Sequence, residues 1–206
     1  QVHILDVDGI QCEANEQGVV AVKLPLPPGC LTTIWGNAER FKQSYLSQYK
    51  GYYLSGDGGY IDEDGYLFIM GRTDDVINVA GHRLSTGEME EVIADHTHIA
   101  ECAVVGVADK IKGQLPFALV VLKNGVKLAH EQVQQDLKLM VRKKIGAIAS
   151  LKQVMVVERL PKTRSGKILR KVIRQMLDGE SYQVPSTIDD VTILDELRAQ
   201  LLPKVG

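Results

Sequence analysis

The sequence predicts an α+β fold in which a small sheet domain follows a β-rich segment. Three observations support this prediction. Residues 1–73 consist of short alternating strands interrupted by Gly and Pro. Residues 74–180 alternate between apolar runs and segments with helical spacing, which predicts a short hairpin and a three-stranded sheet with flanking helices. Residues 181–206 form a polar C-terminal tail with few residues suited to a core.

The β-rich segment is expected to contain a strand, a helix and a hairpin. Residues 18–24 alternate in polarity and predict the strand. An aromatic residue at every fourth position predicts a helix over residues 38–49. The Asp-Glu-Asp-Gly sequence at 62–65 predicts the hairpin turn, because Asp-Gly suits a positive φ. These strands are too few to close a good core alone, so we expect the end of a larger domain.

The small domain is predicted to begin with a strand over residues 76–79 and a turn at Gly81. Ser85 and Glu88 form a capping box, which predicts the start of a helix. The remaining elements are three buried strands, an amphipathic helix and a basic helix: 102–107, 117–122 and 154–157 for the strands, the residues around Leu137 for one helix, and a start near Gly166 for the other.

Composition excludes several classes of protein. Of the 206 residues, 45% are hydrophobic and 24% are charged, as in globular domains, and a net charge of -2 does not favour binding to nucleic acid or anionic membranes. No apolar run reaches the roughly 18 residues that span a bilayer. Three cysteines without CxxC spacing argue against disulfides and zinc, so we expect no metal site and a cytoplasmic location, or the mitochondrial matrix in a eukaryote. Because the chain begins with Gln1 rather than Met, we expect a fragment.

Residues 53–59 read YLSGDGG and place Asp57 in a glycine-rich turn. A carboxylate there can accept hydrogen bonds from both hydroxyls of a ribose. A structural Asp that caps a tight turn explains the same pattern.

Residues 71–83 read GRTDDVINVAGHR and place Arg72 and Arg83 eleven residues apart. Arginine suits multi-donor recognition of phosphate or hydroxyl oxygens, and Gly81 permits close approach of the backbone to a ligand. A surface hairpin with solvated charges is the alternative.

Residues 160–168 read LPKTRSGKI and carry Lys167 in a polar loop before the basic helix. The spacing is not that of a Walker A loop. Lys167 can be a cation that reaches a partner's active site, or simply a solvated side chain. Likewise, Arg142 and its two basic neighbours can meet a phosphate or form a solvated helix face.

In order and spacing, the YLSGD, GRTDDVINVAGHR and PKTRSGK segments resemble the C-terminal part of short-chain acyl-CoA synthetases, of the acetyl- and propionyl-CoA synthetase type, within the adenylate-forming (AMP-binding) enzyme superfamily. The resemblance covers essentially all 206 residues. It implies that residues 1–73 end the large AMP-binding domain, and that residues 74–180 are a mobile lid with its hinge at Asp74.

The resemblance also implies roles for single residues in nucleotide chemistry. Lys167 matches the catalytic lysine of the adenylation half-reaction. Asp57 and Arg72 match the residues that contact the ribose of ATP or AMP, and Arg83 matches the arginine near the nucleotide phosphates.

For the second half-reaction the resemblance implies a CoA site. Ala80 and Gly81 match the segment that flanks the pantetheine arm of CoA, and Arg142 matches a contact to its nucleotide phosphates. When the lid rotates about Asp74, Lys167 leaves and the segment from Ala80 to Arg83 enters.

The implied substrates are a short-chain carboxylate, ATP with Mg and CoA, with the Mg ligands on an N-terminal adenylation domain that is missing from this chain. The fragment alone is expected to be inactive, because the acyl pocket and phosphate loop lie upstream. The exposed Lys167 further implies a lysine acetyltransferase and deacetylase as partners.

Three alternatives remain open at this stage. Ala80, where acetyl-CoA synthetases usually carry Ser, favours a propionyl-CoA synthetase, but an aryl- or medium-chain acyl-CoA ligase is also compatible. A second alternative is a non-catalytic docking domain. The third is nucleic-acid binding through a basic stripe, which the negative net charge and the lack of nearby aromatic residues disfavour; the stripe consists of Lys162, Arg164, Lys167, Arg170, Lys171 and Arg174.

Overall fold

Residues Gln1–Asp74 make up the first of two structural units, and the second begins at Asp75. The computed structural model describes residues 1–201, and it describes Asp74 by its backbone alone. Within these residues, no helix is long and apolar enough to cross a membrane.

The first unit is an antiparallel sheet of four consecutive strands with one helix beside it. Its elements are β1 (Val2–Leu5), β2 (Gly18–Lys23), α1 (Ala38–Tyr45), β3 (Tyr52–Ile61) and β4 (Leu67–Arg72). The predicted strand at 18–24 and the hairpin around 62–65 are confirmed.

Helix α1 is shorter than the aromatic spacing predicts. It ends after Tyr45, and Tyr49 lies beyond it, buried against the sheet with its hydroxyl donating to the Asp6 carbonyl at 2.9 Å. The spacing of the aromatic residues thus reports burial against one sheet rather than one continuous helix.

The second unit contains five strands and four α-helices among its described residues. In chain order they are β5 (Val76–Val79), β6 (His82–Ser85), α2 (Thr86–Ala94), β7 (Ile99–Asp109), β8 (Gly113–Leu122), α3 (His130–Lys144), β9 (Gln153–Val156), α4 (Arg170–Leu177) and α5 (Thr192–Leu201). The predicted α+β class is confirmed, and Ser85 caps α2 by accepting from the Glu88 amide at 3.3 Å.

Strand β8 is the centre of the second sheet. It pairs with β7 in antiparallel register along its length and with β9 in parallel register. The β5–β6 hairpin joins the same sheet through the pairing of Val79 with Gly113, so the hairpin and the three strands form one five-stranded sheet.

Both faces of this sheet are covered, which explains its apolar runs. Along β7, Val104 faces the core formed with α2 and α3, whereas Val105 faces the core formed with α4 and α5. Strands buried on both faces lose the usual alternation and read as continuous hydrophobic segments. On α3, the fully buried Val133, Leu137 and Val141 recur every four residues, as predicted.

Two expectations for the end of the chain are wrong. The basic helix begins at Arg170 rather than near Gly166, because Lys162 pairs with Ile168 in a tight turn in which Gly166 has a φ of +84°. The segment from 181 onward is not poor in core residues, because α5 buries Ile193, Leu194 and Leu197. Residues 202–206 lie outside the described part.

Candidate functional site

The structure brings Asp57 and Arg72 together in the first unit. They face each other across the β3–β4 ladder, and Arg72 Nη1 donates to Asp57 Oδ1 at 3.2 Å and to the Ser55 carbonyl at 2.9 Å. The Asp57 side chain keeps about a third of its surface exposed. A carboxylate oriented by a guanidinium and open to solvent is suited to accept the hydroxyls of a ribose.

Gly56 makes this arrangement possible. Its φ of +81° is a conformation that favours glycine, and a Cβ built there would lie 2.5 Å from Arg72 Nη2. The Gly56 carbonyl also accepts from Thr73 Oγ1 at 3.1 Å. The predicted glycine-rich turn at Asp57 is wrong, because residues 53–59 lie within strand β3. The sequence pattern indicates Asp57 but not the roles of Ser55 and Gly56.

The β5–β6 hairpin presents Ala80 and Gly81 at its tip. Both have positive φ, +50° and +87°, as a two-residue turn of type I′ requires, and both are exposed. The Ala80 amide donates to the Lys112 carbonyl at 2.8 Å, and the Gly81 amide donates to Asn78 Oδ1 at 3.1 Å. Arg83 follows on β6 with an exposed side chain.

Lys167 lies in a hydrogen-bonded turn rather than in a loose loop. Its amide donates to Thr163 Oγ1 at 3.1 Å, and its carbonyl accepts from the Thr163 amide at 2.8 Å. Thr163 Oγ1 also lies 2.9 Å from Ser165 Oγ. The backbone of Lys167 is therefore fixed while its side chain is exposed, so the ammonium group can extend toward an external anion.

The hairpin tip and the Lys167 turn lie at opposite ends of β8. Val79 pairs with Gly113 at one end, whereas Lys162 forms an ion pair of 2.6 Å with Glu101, whose strand partner is Val121 at the other end. At about 3.3 Å per residue, the eight intervals from 113 to 121 span roughly 25 Å. The second unit thus carries these two segments at opposite ends of one strand.

The basic cluster at the end of α3 is only partly occupied by internal contacts. Lys144 forms an ion pair of 2.6 Å with Asp95, while Arg142 is exposed and no described carboxylate pairs with it. Its position in the last turn also suits the helix dipole. Within residues 1–201, no hydrogen bond or ion pair joins Arg142 to Ala80 or Gly81, the other two residues predicted to bind CoA.

The predicted hinge at Asp74 falls in a short 3₁₀ helix, Thr73–Asp75. The boundary between the two structural units lies directly after Asp74, within this short helix. The side chain of Asp74 lies outside the described residues.

Among the described residues, two of the six cations in the basic stripe form internal ion pairs. Lys162 pairs with Glu101, and Arg170 pairs with Glu90 through Nη2 at 2.7 Å and Nε at 3.1 Å. Paired cations are less available to a phosphate backbone, which weakens the nucleic-acid alternative.

Cys102 is the most strongly perturbed of the three cysteines, which are all unpaired. Burial raises the pKa of the Cys102 thiol to about 12, so this thiol is not a nucleophile at neutral pH. Within the described residues, no group of three or more His, Cys, Asp or Glu side chains is arranged to hold a metal ion.

Residues 88–167 match the family model described as the AMP-binding enzyme C-terminal domain. This part of the chain belongs to that family. The match includes Arg142 and ends at Lys167, whereas Asp57, Arg72 and the β5–β6 hairpin precede it.

Curated relatives extend the similarity over nearly the whole chain. It is 60% identical over 200 residues to an uncharacterized protein of Pseudomonas aeruginosa, PA3568, covering 97% of this chain and 32% of that protein. It is 49% identical over 197 residues to the mitochondrial acyl-CoA synthetase short-chain family member B of Dictyostelium discoideum, and 47% identical over 194 residues to the acetyl-coenzyme A synthetase of Penicillium chrysogenum. These alignments cover 96% and 93% of this chain but 29% of each relative, so the chain spans about a third of their length.

Solved structures share the fold of this chain. The ATP-bound RpMatB-BxBclM chimera B1 superimposes with a TM-score of 0.70 at 27% identity, covering 86% of this chain and 34% of the chimera.

Proposed function

We propose that the intact protein carrying this chain is an AMP-forming, ATP-dependent carboxylate–CoA ligase. It converts a short-chain carboxylate, propionate or acetate, with ATP and CoA into acyl-CoA, AMP and pyrophosphate through an acyl-adenylate. The observation that carries this proposal is the placement of the Lys167 turn and the hairpin tip at opposite ends of β8. The relatives that are named as short-chain acyl-CoA and acetyl-CoA synthetases support the substrate class.

In the first half-reaction, a carboxylate oxygen attacks the α-phosphorus of ATP, and the bond to pyrophosphate breaks. Negative charge develops on the phosphoryl oxygens, and a positioned cation stabilises it. Lys167 supplies that cation from its fixed turn. Asp57 accepts the ribose hydroxyls, Arg72 holds the Asp57 carboxylate in place, and Arg83 lies near the nucleotide phosphates.

In the second half-reaction, the CoA sulfur attacks the carbonyl carbon of the acyl-adenylate, the thiol proton is lost, and AMP departs. Ala80 and Gly81 at the hairpin tip flank the pantetheine arm, and Arg142 binds the nucleotide phosphates of CoA. Because the two ends of β8 lie roughly 25 Å apart, the second unit must reorient between the steps. Asp74, where the units divide, is the proposed hinge.

Several components of the reaction lie outside this chain. The N-terminal adenylation domain supplies the acyl pocket, the phosphate loop and the ligands of the Mg ion that accompanies ATP. We place the protein in the cytoplasm, or in the mitochondrial matrix of a eukaryote. An acetyltransferase and a deacetylase that act on the exposed Lys167 are proposed as its regulators.

The substitution Lys167→Ala in the intact protein tests this assignment. We expect loss of acyl-adenylate formation, measured by pyrophosphate exchange into ATP, because the substitution removes the cation that stabilises the phosphoryl oxygens. Thioester formation from supplied acyl-adenylate and CoA should be retained, since the hairpin end of β8 is unchanged. An equal loss in both half-reactions would contradict the role of Lys167.

A further inference from the structure

The Lys167 turn is held from outside by the segment that follows α4. Thr163 pairs with Ile188, the Arg164 amide donates to the Thr187 carbonyl at 3.0 Å, and the Asp189 amide donates to the Lys162 carbonyl at 2.9 Å. A second strand-like segment therefore lies beside the turn and satisfies its outward-facing backbone groups.

Side chains strengthen this contact at two points. Arg164 Nη2 donates to the Ser186 carbonyl at 2.9 Å. Arg159, three residues before Lys162, donates from Nη1 to Asp190 Oδ2 at 2.6 Å and from Nη2 and Nε to Glu196 at 2.7 and 3.1 Å. We call residues 186–196 the brace.

Arg159 clamps the brace to the chain entering the turn. Its Nη2 also donates to Thr192 Oγ1 at 2.9 Å, so one guanidinium contacts two carboxylates and a hydroxyl of the brace. Hydrogen bonds from Thr192 and from Arg159 hold the pKa of Asp190 down at about 2, which agrees with the charged pairing that the geometry shows. The apolar side of the brace is fixed too, because Ile188 and Ile193 pack with Val172 of α4.

Thr163 connects the brace to Lys167 through hydrogen bonds on both sides. It pairs with Ile188 on one side, and both its amide and its hydroxyl oxygen bond the backbone of Lys167. A lysine side chain is a flexible point charge, so the position of its ammonium group depends on where its Cα is held.

We propose that the brace is a positioning element for Lys167 in the adenylation half-reaction, and that Arg159 is its principal positioning residue. This inference rests on the proposed function. It predicts that loosening the brace impairs the step that uses Lys167 and leaves the step that uses the hairpin tip unchanged, because the two lie at opposite ends of β8.

The experiment compares variants of the intact protein in the two half-reactions. Arg159→Gln should lower kcat for acyl-adenylate formation roughly 10- to 100-fold, as expected when a reacting group is displaced by about 1 Å. Thioester formation from supplied acyl-adenylate should be unchanged. Arg159→Lys, which keeps the charge but not the fork, should recover part of the loss.

The matched control is Arg198→Gln on α5, the helix that carries Thr192 and Glu196. Arg198 bonds Tyr182 and Asp195, a brace residue whose side chain is exposed, and within the described residues it forms no hydrogen bond or ion pair with residues 159–168. Both half-reactions should therefore keep their rates. Arg164→Ala, which removes only the bond to Ser186, is a milder variant for use if Arg159→Gln lowers the melting temperature. A smaller, equally selective loss is expected for it.

A double-mutant cycle separates positioning from general stabilisation. In the Lys167→Ala background, Arg159→Gln should cause no further loss of adenylation, because the group it positions is absent. Unchanged adenylation in Arg159→Gln, or equal losses in both half-reactions, would contradict the proposal that the brace positions Lys167. If Lys167→Ala itself leaves adenylation intact, the proposed function fails instead.

Discussion

The substitution Gly56→Ala probes the Asp57–Arg72 pair through its neighbour. The new Cβ would lie 2.5 Å from Arg72 Nη2 and 2.9 Å from Nη1 and Cζ, whereas unstrained contacts begin near 3.5 Å. The guanidinium must therefore move by about 1 Å. A shift of that size lengthens the 3.2 Å bond to Asp57 to as much as about 4 Å, beyond hydrogen-bonding range.

Two effects on stability can be estimated from the structure. An alanine at the φ of +81° found at Gly56 costs about 1–2 kcal/mol relative to the unstrained backbone. The Arg72–Asp57 pair is partly exposed, with side-chain exposures of 48% and 32%, so its loss adds at most about 1 kcal/mol. Hydrogen bonds to a charged group contribute about 1.5–3 kcal/mol, so a misoriented Asp57 should raise the KM for ATP roughly 10- to 100-fold.

Gly51→Ala is the matched control. Gly51 has a φ of +88°, close to that of Gly56, but a Cβ there meets no atom within 4 Å. Both variants should lower the melting temperature through backbone strain, and only Gly56→Ala should raise the KM for ATP in steady-state assays of the intact protein. If the two variants have the same KM, the pair does not orient the nucleotide.

Two further predictions follow from the charges of the second unit. Hydrogen bonds from Thr192 and Arg159 lower the pKa of Asp190 to about 2, so its stabilising contribution is present above the unfolded pKa of about 3.9 and is lost as pH falls toward 2. NMR titration of the Asp190 carboxyl should show this midpoint, and Arg159→Gln should raise it; an unchanged midpoint would contradict the pairing. Acetylation of Lys167 removes its charge, so acetylated protein should lose pyrophosphate exchange and keep thioester formation. Undiminished exchange in a fully acetylated sample would exclude this regulation.

Regular elements of the second unit were readable from the sequence because their signals are local. The Ser85–Glu88 capping pattern placed the start of α2, and the apolar runs placed β7 and β8 because strands buried on both faces need continuous hydrophobic residues. The spacing of Val133 and Leu137 likewise placed α3.

Contacts between segments that are distant in the chain could not be predicted from the sequence. The start of α4 was misplaced because nothing near Gly166 reveals that Lys162 pairs with Ile168. The burial of α5 depends on Val172, about twenty residues earlier, so a polar composition hid its three apolar residues. For the same reason the sequence does not predict a role for Arg159, because its partners, Asp190 and Glu196, are more than thirty residues away.

The site residues divide in the same way. The resemblance assigns both Asp57 and Arg72, fifteen residues apart, to the ribose, and the β3–β4 register adds that they face each other. Gly56 was overlooked because its role depends on the guanidinium packed against it. The roles assigned to Arg83, Arg142 and Lys167 remain proposals, and each has an exposed side chain from which a ligand contact is possible.

The geometry of β8 also limits how the proposed reaction can be organised. Val104, Ala118 and Val120 are completely buried in the sheet, and such interiors are close-packed, so the strand does not bend easily between its two ends. In the proposed reaction, the second unit would therefore move as one body when the hairpin tip takes the place of the Lys167 turn. It follows that substitutions at the two ends should separate the half-reactions, whereas substitutions that loosen the centre, such as Leu137→Ala, should weaken both together.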